Sequence, residues 1–590
     1  MKTKILLFLF FVIYFSSKAQ EKEVIKFIWS PYFDDIYLTA TEDKEFTVDW
    51  GDGCNIETYS GTGDIQFISH SYINPDWDDY QVIITGVTTE CKFTLFACYM
   101  SNVNDLDFNS CISLEFLFCG RNPLTSLDLT NNINLKVLSC HTNSLTNLNL
   151  YENKNLETLT CGGISLSSLN LTENKNLKIL TIGGAYGPGN YTSINNLDLS
   201  ENTELIELSI FDYNQLTSLD LSANTKLEIL DIRNSELTEM NLSSNVNLRK
   251  IILRNNPLIS LDLSKNLKLE DLSLHESLLT EINLNYNIEL KKLTCFNNRL
   301  LSLDLKNNSK LTQINCSNNK LINLFVGESN KIEELDCSNN QLEIIDLSAL
   351  AELEIFECTR NNLVSLDLSA NTKLRNLSCR LNNLKSINLC TNSIYTTFRC
   401  FENQLTLTDL FNVSEQTPNM YSKHLGTQRL ESQNVPVGFT VDFSSQSEFK
   451  GITTVFVINK DGLPSEINND YTITNGIITF LQDGIFTVTM TNAAIVSNYL
   501  YPAKVIAEFK VGYANIDDVS YLSDIVFYPN PVNDILYIKT EKETIPEVKL
   551  YSLEGQLLLN IKGNEIDVSG FVAGIYMLEV DGKKGKVVKN

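Results

Sequence analysis

The chain has 590 residues, of which 43% are hydrophobic and 20% charged, a composition that excludes a disordered chain and implies more than one folded core. Its formal net charge of −26 repels nucleic acid and anionic lipid, so neither is expected as a partner. Beyond the N-terminus, no segment reaches the ~18 consecutive apolar residues that a membrane-spanning helix needs. The first nineteen residues read as a secretory signal: Lys2 and Lys4, an apolar stretch from Ile5 to Phe15, and small Ser17 and Ala19 ahead of a cut near Gln20.

Residues 20–92 alternate apolar and polar positions in runs such as Phe46-Thr-Val-Asp-Trp and Val82-Ile-Ile-Thr, with turn residues between them, and predict a small β-sandwich. Asp49-Trp-Gly-Asp-Gly53, His70-Ser-Tyr72 and Tyr80-Gln-Val-Ile-Ile84 resemble the polycystic-kidney-disease-like (PKD-like) sandwich domain. The segment is short for that family, so its last strand is expected to merge with the first turn of the neighbouring segment and cap it. Asp49, Asp52, Asp76, Asp78 and Asp79 could serve calcium, but they form no complete ligand loop, and a turn role is the simpler reading. Cys54 and Cys91 could pair as a disulfide or stay free.

Residues 93–412 are a repeat. Cys98, Cys119, Cys140 and Cys161 are 21 residues apart, as are Cys295, Cys316, Cys337, Cys358, Cys379 and Cys400, which accounts for ten of the fourteen cysteines. The same slot passes through Ile182, Ile210, Ile232, Leu253 and Leu274, with an insertion of seven residues within Gly183 to Thr192, to give fifteen rungs. One unit reads Leu135, Leu138, Cys140, Asn143, Leu145, Leu148, Leu150 and Asn153. Two short extended segments per turn, with one face buried, fit this pattern; a helix does not. Stacked at ~4.8 Å per turn, the rungs make a solenoid roughly 70 Å long that buries a column no single turn could bury.

Isoleucine and leucine share the cysteine slot, so the site wants a small buried apolar group, and the thiols are read as structural, not as metal ligands or disulfides. Cys111 occupies an asparagine slot and Cys390 lies beyond a buried leucine. Two asparagine ladders, one through Asn143 and Asn319 and the other through Asn153 and Asn287, are expected to satisfy backbone groups at the turns. The pattern Leu-x-x-Leu-x-Cys-x-x-Asn-x-Leu resembles the internalin-type bacterial leucine-rich repeats found in surface proteins of the Bacteroidota, which implies a mainly β, 21-residue solenoid flanked by small β-sandwich domains.

Residues 413–515 return to strand patterns (Phe439-Thr-Val-Asp-Phe, Ile485-Phe-Thr-Val-Thr-Met) and predict an immunoglobulin-like sandwich acting as a spacer. In residues 524–590, Tyr528-Pro-Asn-Pro-Val532, Asp534-Ile-Leu-Tyr-Ile538, Val548-Lys-Leu-Tyr-Ser552, Ala573-Gly-Ile-Tyr-Met-Leu578 and Lys586-Val-Val-Lys589 resemble the type A C-terminal sorting domain of type IX secretion, the Por system. That resemblance implies the secretion machinery as a partner, translocation across an outer membrane, removal of the tail, and a secreted or cell-surface destination.

No catalytic signature accompanies the repeats. The four histidines, His70, His141, His275 and His424, are scattered, and nucleophile-elbow, zinc-helix and phosphate-loop motifs are missing from the sequence. A non-enzymatic binding or adhesion protein for a protein or glycan ligand, with no cofactor and no metal, is therefore expected; a structural surface-layer protein and an accessory binding subunit of a secreted polysaccharide- or protein-degrading system are the alternatives. Of the outward residues that come after the buried column, Phe211, Arg233, Arg254, His275 and Phe296 stand on consecutive turns and gather aromatic area and positive charge, a composition typical of binding hot spots. The competing reading is that the arginines pair with nearby acids. Intact-mass analysis of the exported protein should show loss of residues up to about Ala19 and of the tail after about residue 520; retention of the tail would contradict the sorting assignment.

Overall fold

The computed structural model describes residues 21–590 except 31–35, 73–78, 163–165, 167, 184–193, 195, 212–215, 328–330, 391–393, 418–419, 421, 499, 513–524, 529–531, 541–545, 553–555, 581–582 and 590. The secretory signal and most of the insertion after Gly183 lie outside these residues. The chain forms two compact units, residues 1–403 with 415–425, and residues 404–414 with 426–590.

In the first unit, one sheet of eighteen strands runs from 66–68 through 36–40 and 93–97, then rung by rung to 397–399 and 422–424. The first two pairings are antiparallel and the rest parallel. After the five-residue first strand Phe93–Ala97, each rung is a strand of three or four residues that sends side chains inward before the buried column residue, as with Leu138 and Cys140, both fully buried. The sheet continues past residue 412 because Ser422–His424 pairs in register with Thr397–Arg399. Among the described residues the second extended segment pairs as strands at Ser302–Asp304 with Asn323–Phe325 and at Ser365–Asp367 with Ser386–Asn388, with a single parallel bridge between Asp107 and Asp128.

Side chains hold the turns. Among the described residues, the backbone becomes left-handed immediately after the last outward residue of a rung, with φ between 51° and 60° at, for example, Asn234, Asn255, Asn297, Asn318, Asn339 and Leu381. Asparagine tolerates this conformation better than other non-glycine residues do. The next residue supplies the first ladder. The Asn319 amide donates to the Cys295 and Cys316 carbonyls at 3.0 and 3.1 Å while its Oδ1 accepts from the Leu300 N–H at 3.0 Å, so one side chain ties two rungs together. In the second ladder the Asn153 amide donates to the carbonyls of Leu129 (3.0 Å) and Asn132 (2.9 Å). Cys111 takes that slot two rungs before Asn153, its carbonyl accepting from the Asn132 amide and its Sγ donating to the Val24 carbonyl.

A third ladder was not expected from the sequence. Asp198, Asp220, Asp262, Asp346 and Asp367 each accept the N–H of a serine two residues on, at 2.9–3.0 Å. These hydrogen bonds hold their carboxyls below the usual range and assign part of the chain's acidity to turn structure.

The N-terminal region adds a five-stranded antiparallel sheet ordered 57–60, 45–49, 80–86, 24–29 and 103–107. Trp29, Trp50, Phe27, Phe46, Phe93 and Phe96 are fully or almost fully buried, and Phe93–Ala97 belongs to the solenoid sheet, so this region and the first rung share one apolar core. Glu23 completes the junction. Its buried carboxylate accepts the Phe93 and Ser113 N–H groups at 2.8 and 3.2 Å, with the Lys92 ammonium 3.6 Å away. Of the two alternatives left open for Cys54 and Cys91, the structure has separate free thiols, one exposed in the turn after Asp52 and the other buried against Gly86.

In the second unit, strand 504–511 pairs with 484–491, 427–429 and 433–435, strand 484–491 continues to 455–460, and a three-stranded sheet joins 440–442, 477–480 and 471–474. Phe480, Phe486 and Phe509 pack ring to ring in its core. The tail has its own core, including Val532, Leu536, Leu550 and Leu578, between sheets of three and four strands. The ten-residue helix Leu407–Gln416 was also not expected; its start is marked by reciprocal hydrogen bonds between Thr406 and Asp409, a capping box with aspartate in the acidic position.

The ten column cysteines form no disulfides and are fully buried, and burial pushes the thiols of Cys140, Cys295 and Cys379 up to about 12. They should resist alkylation until denaturant is added, and Cys337→Ala should destabilise the fold by about 1–3 kcal/mol through the cavity it leaves, measured by denaturant unfolding. Column thiols that react in the native protein would refute this packing.

Candidate ligand-binding face

Strand alternation gives every rung three outward positions: the residues three and one before the column position and the one after it, as with Val137, Ser139 and His141 around Cys140. The sequence stripe is the last of these three columns. The structure places Phe211, Arg233, Arg254, His275 and Phe296 side by side on successive rungs, all at least partly exposed.

Their contacts are specific. The Arg233 guanidinium lies 5.1 Å from the Phe211 ring centroid and makes a two-pronged hydrogen bond to Asp231, with Nε at 2.7 Å and Nη2 at 2.6 Å. Arg254 Nε donates to Glu276 at 3.1 Å. The His275 ring stacks on Phe296, with centroids 4.5 Å apart and planes 19° from parallel, and His275 Nδ1 lies 2.8 Å from Ser273 Oγ. The five residues thus form one ladder, but both arginines are held by acids. Asp231 stands two residues earlier on the strand of Arg233, and Glu276 occupies the left-handed turn of the next rung. The expected excess of positive charge is largely neutralised, and what remains is two stacked pairs, Arg233 with Phe211 and His275 with Phe296, with Arg254 between them.

Reading one outward column missed the others. Asp336 and Glu357 stand on adjacent rungs in the column just before the buried slot, and burial together with the Asp336 charge holds the Glu357 carboxyl above its usual range. Arg380, whose guanidinium is 5.6 Å from the Phe401 ring centroid, and Arg399 act on Glu357 in the opposite sense. The signal was present in the sequence, one residue before each column position.

In the N-terminal region, the carboxylates considered for calcium have other work. Asp49 accepts the Gly51 N–H, Asp52 accepts the Cys54 N–H, and Asp79 accepts from the Asn104 amide. Asp76 and Asp78 lie outside the described residues. His70 lies between Asp52 (2.9 Å) and Glu57 (3.2 Å), stacked on Trp50 with centroids 5.1 Å apart, an arrangement that braces the turn after the strand 45–49.

Comparison with known proteins agrees with the two ends of this description. Residues 526–590 match the secretion system C-terminal sorting domain, which indicates type IX secretion to the exterior or the cell surface. None of the curated proteins searched matches the chain. Among solved structures, the functional domain of InlJ from Listeria monocytogenes, which includes a cysteine ladder, is similar at 22% identity and a TM-score of 0.58, covering 71% of this chain and 90% of that one. The internalin InlF from the same organism (19% identity, 49% and 82% covered, TM-score 0.39) and a leucine-rich-repeat protein of Leptospira interrogans (19%, 52% and 84%, 0.41) are also similar. The solenoid is a leucine-rich-repeat fold. No helix among the described residues is long and apolar enough to cross a membrane.

His141, His275 and His424 all carry pKa values lowered first by burial and then by a neighbouring arginine: Arg121 for His141, Arg254 for His275 and Arg399 for His424. Their folded values lie below the unfolded value of about 6.5, so the neutral rings contribute stability that is present above that pH and is lost as pH falls through the folded values. The melting temperature should therefore fall between about pH 7 and pH 5, and the slope should be shallower in His275→Gln than in the wild type. Equal slopes would remove His275 from this linkage.

Proposed function

We propose that this is a non-enzymatic binding or adhesion protein, exported to the exterior or the cell surface, that engages a protein or glycan through the outer sheet face, with the contact centred on Phe211, Arg233, Arg254, His275 and Phe296. The observation that carries this reading is the ladder itself. Its planar side chains are ordered by stacking and by hydrogen bonds before any ligand arrives, which lowers the entropy lost on binding. Aromatic and arginine side chains presented this way are the usual anchors of recognition surfaces. The sorting domain supplies the destination, and the repeat supplies a rigid frame along which contacts can be spaced.

The structure also decides which variants test the idea. Removing Arg233 would strand the buried Asp231 carboxylate and lower stability, so its effect on binding would be ambiguous. Arg254→Ala with Phe296→Ala avoids this because the Arg254–Glu276 pair is solvent-exposed and contributes little to stability. In pull-down and glycan-array measurements on the mature protein, this pair should weaken binding by at least about tenfold with little change in melting temperature. Gln313→Ala with Glu334→Ala, on the same face one and two rungs beyond, is the control and should bind like wild type. Equal loss in both pairs, or none in either, would refute the stripe as the centre of contact.

A further inference from the structure

The charged ladder occupies only part of the outer face. From strand 66–68 through 36–40, 93–97, 116–118, 137–139 and 158–160 to 179–182, the outward strand positions carry no aspartate, glutamate, lysine or arginine. Charge returns with Glu207 on the next strand and then with Asp231 and Lys250. For a chain of net −26, seven consecutive uncharged strands are a distinct surface.

Its chemistry is aromatic rings and hydroxyls. Phe67, Tyr99 and Tyr37 are 47%, 44% and 38% exposed, and Phe116 and Phe118 are half-buried beside them. Antiparallel register puts Tyr37 opposite both Phe67 and Ala97, so the aromatic row crosses from the N-terminal strands onto the first rungs without changing face, and the Tyr37 and Phe67 rings lie 5.3 Å apart. Ser139, Thr158, Thr160 and Thr181 then provide hydroxyls that both donate and accept. After the column position, Gly120, Gly162 and Gly183 are buried and add no side chain to the face; a Cβ on Gly162 would lie 2.0 Å from the Gly183 nitrogen. Along one margin, Glu115–Lys136 and Glu157–Lys178 neutralise each other across rungs at 2.6 and 2.7 Å. At the other margin the Arg121 guanidinium sits 5.7 Å from the Tyr99 ring centroid.

We propose that this face binds a neutral polysaccharide. An uncharged sugar chain presents apolar C–H faces to aromatic rings and hydroxyls to hydroxyls, and a track of seven strands at ~4.8 Å, roughly 30 Å long, accommodates several sugar units. Charge separates this occupant from a protein. About a quarter of the residues of an average protein are charged, and a partner covering seven strands would have to bury charges against a face that offers none in return. A neutral glycan meets no such penalty. This surface is separate from the Phe211–Phe296 ladder and shares with it only the reading that the exported protein binds ligands.

The test is affinity electrophoresis of the mature protein in gels containing laminarin, dextran or xyloglucan, with polygalacturonate as the charged control. At least one neutral polysaccharide should retard the protein, and its affinity should change by less than about twofold between roughly 0.05 and 1 M salt because no ion pair is involved. Tyr99→Ala with Phe118→Ala should weaken retardation by about tenfold or more. Thr160→Glu, which adds charge and removes no core contact, should do the same at an unchanged melting temperature. Arg254→Ala with Phe296→Ala should leave it within about twofold. The proposal is overturned if no neutral polysaccharide binds, if only polygalacturonate binds with steep salt dependence, or if the three face substitutions leave binding intact. Loss confined to the Arg254/Phe296 variant would also overturn it, while sustaining the ladder as the binding site.

Discussion

Each rung is tied to its neighbour by a carboxamide. In the best-formed turns one asparagine donates to the carbonyl of the buried column residue in its own rung and in the rung before, and accepts an N–H from that earlier rung. A main chain turning this tightly inside a core would otherwise leave carbonyls without donors, at a cost of about 1–3 kcal/mol each. The same side chain fixes where the strand ends. Because the residue before it is left-handed, the last outward side chains of the described turns from Arg254 to Phe401 emerge at the same place on successive rungs. The regular outer face is a consequence of that spacing.

The buried column derives from the same constraint. Parallel in-register strands put identical slots directly over one another, so a column tolerates only groups that pack against copies of themselves without voids. Cysteine does so as a small apolar residue, and its burial makes the thiol hard to ionise. Isoleucine and leucine fill the central rungs, where Ile210, Ile232, Leu253 and Leu274 are as buried as the cysteines on either side. At the N-terminal end the column needs an interface of another kind. Glu23 provides it by satisfying two N–H groups at the junction, while the aromatic core continues from the first sheet into the first rung.

Along the outer face, electrostatics divides a chemically regular scaffold into regions. The seven leading strands are neutral, the central rungs carry arginine and histidine compensated by Asp231 and Glu276, and later rungs bring Asp336 and Glu357 together before Arg380 and Arg399. The solenoid is stable through contacts between neighbouring rungs, so outer residues can change from one rung to the next with little effect on the core.

The sequence by itself determined the period, the buried column, the two asparagine ladders and the sorting tail. Each is a one-dimensional signal, repeated at fixed spacing as in Cys295 to Cys400 or concentrated in a contiguous segment such as Tyr528 to Val532. It also placed the five ladder residues correctly on adjacent rungs, because in a solenoid sequence spacing translates directly into spatial adjacency. What it could not decide was the partnership of charges. Arg254 meets Glu276, 22 residues away on the next rung, and Arg233 turns back along its own strand to Asp231, through side-chain directions that spacing alone leaves open. Cys54 and Cys91 fall in one domain by sequence yet occupy a surface turn and a core. The neutral face was hidden for a related reason. It is shared between antiparallel strands around Tyr37 and Phe67 and parallel strands around Phe116 and Thr158, and only the register at Tyr37 and Ala97 shows that these point the same way.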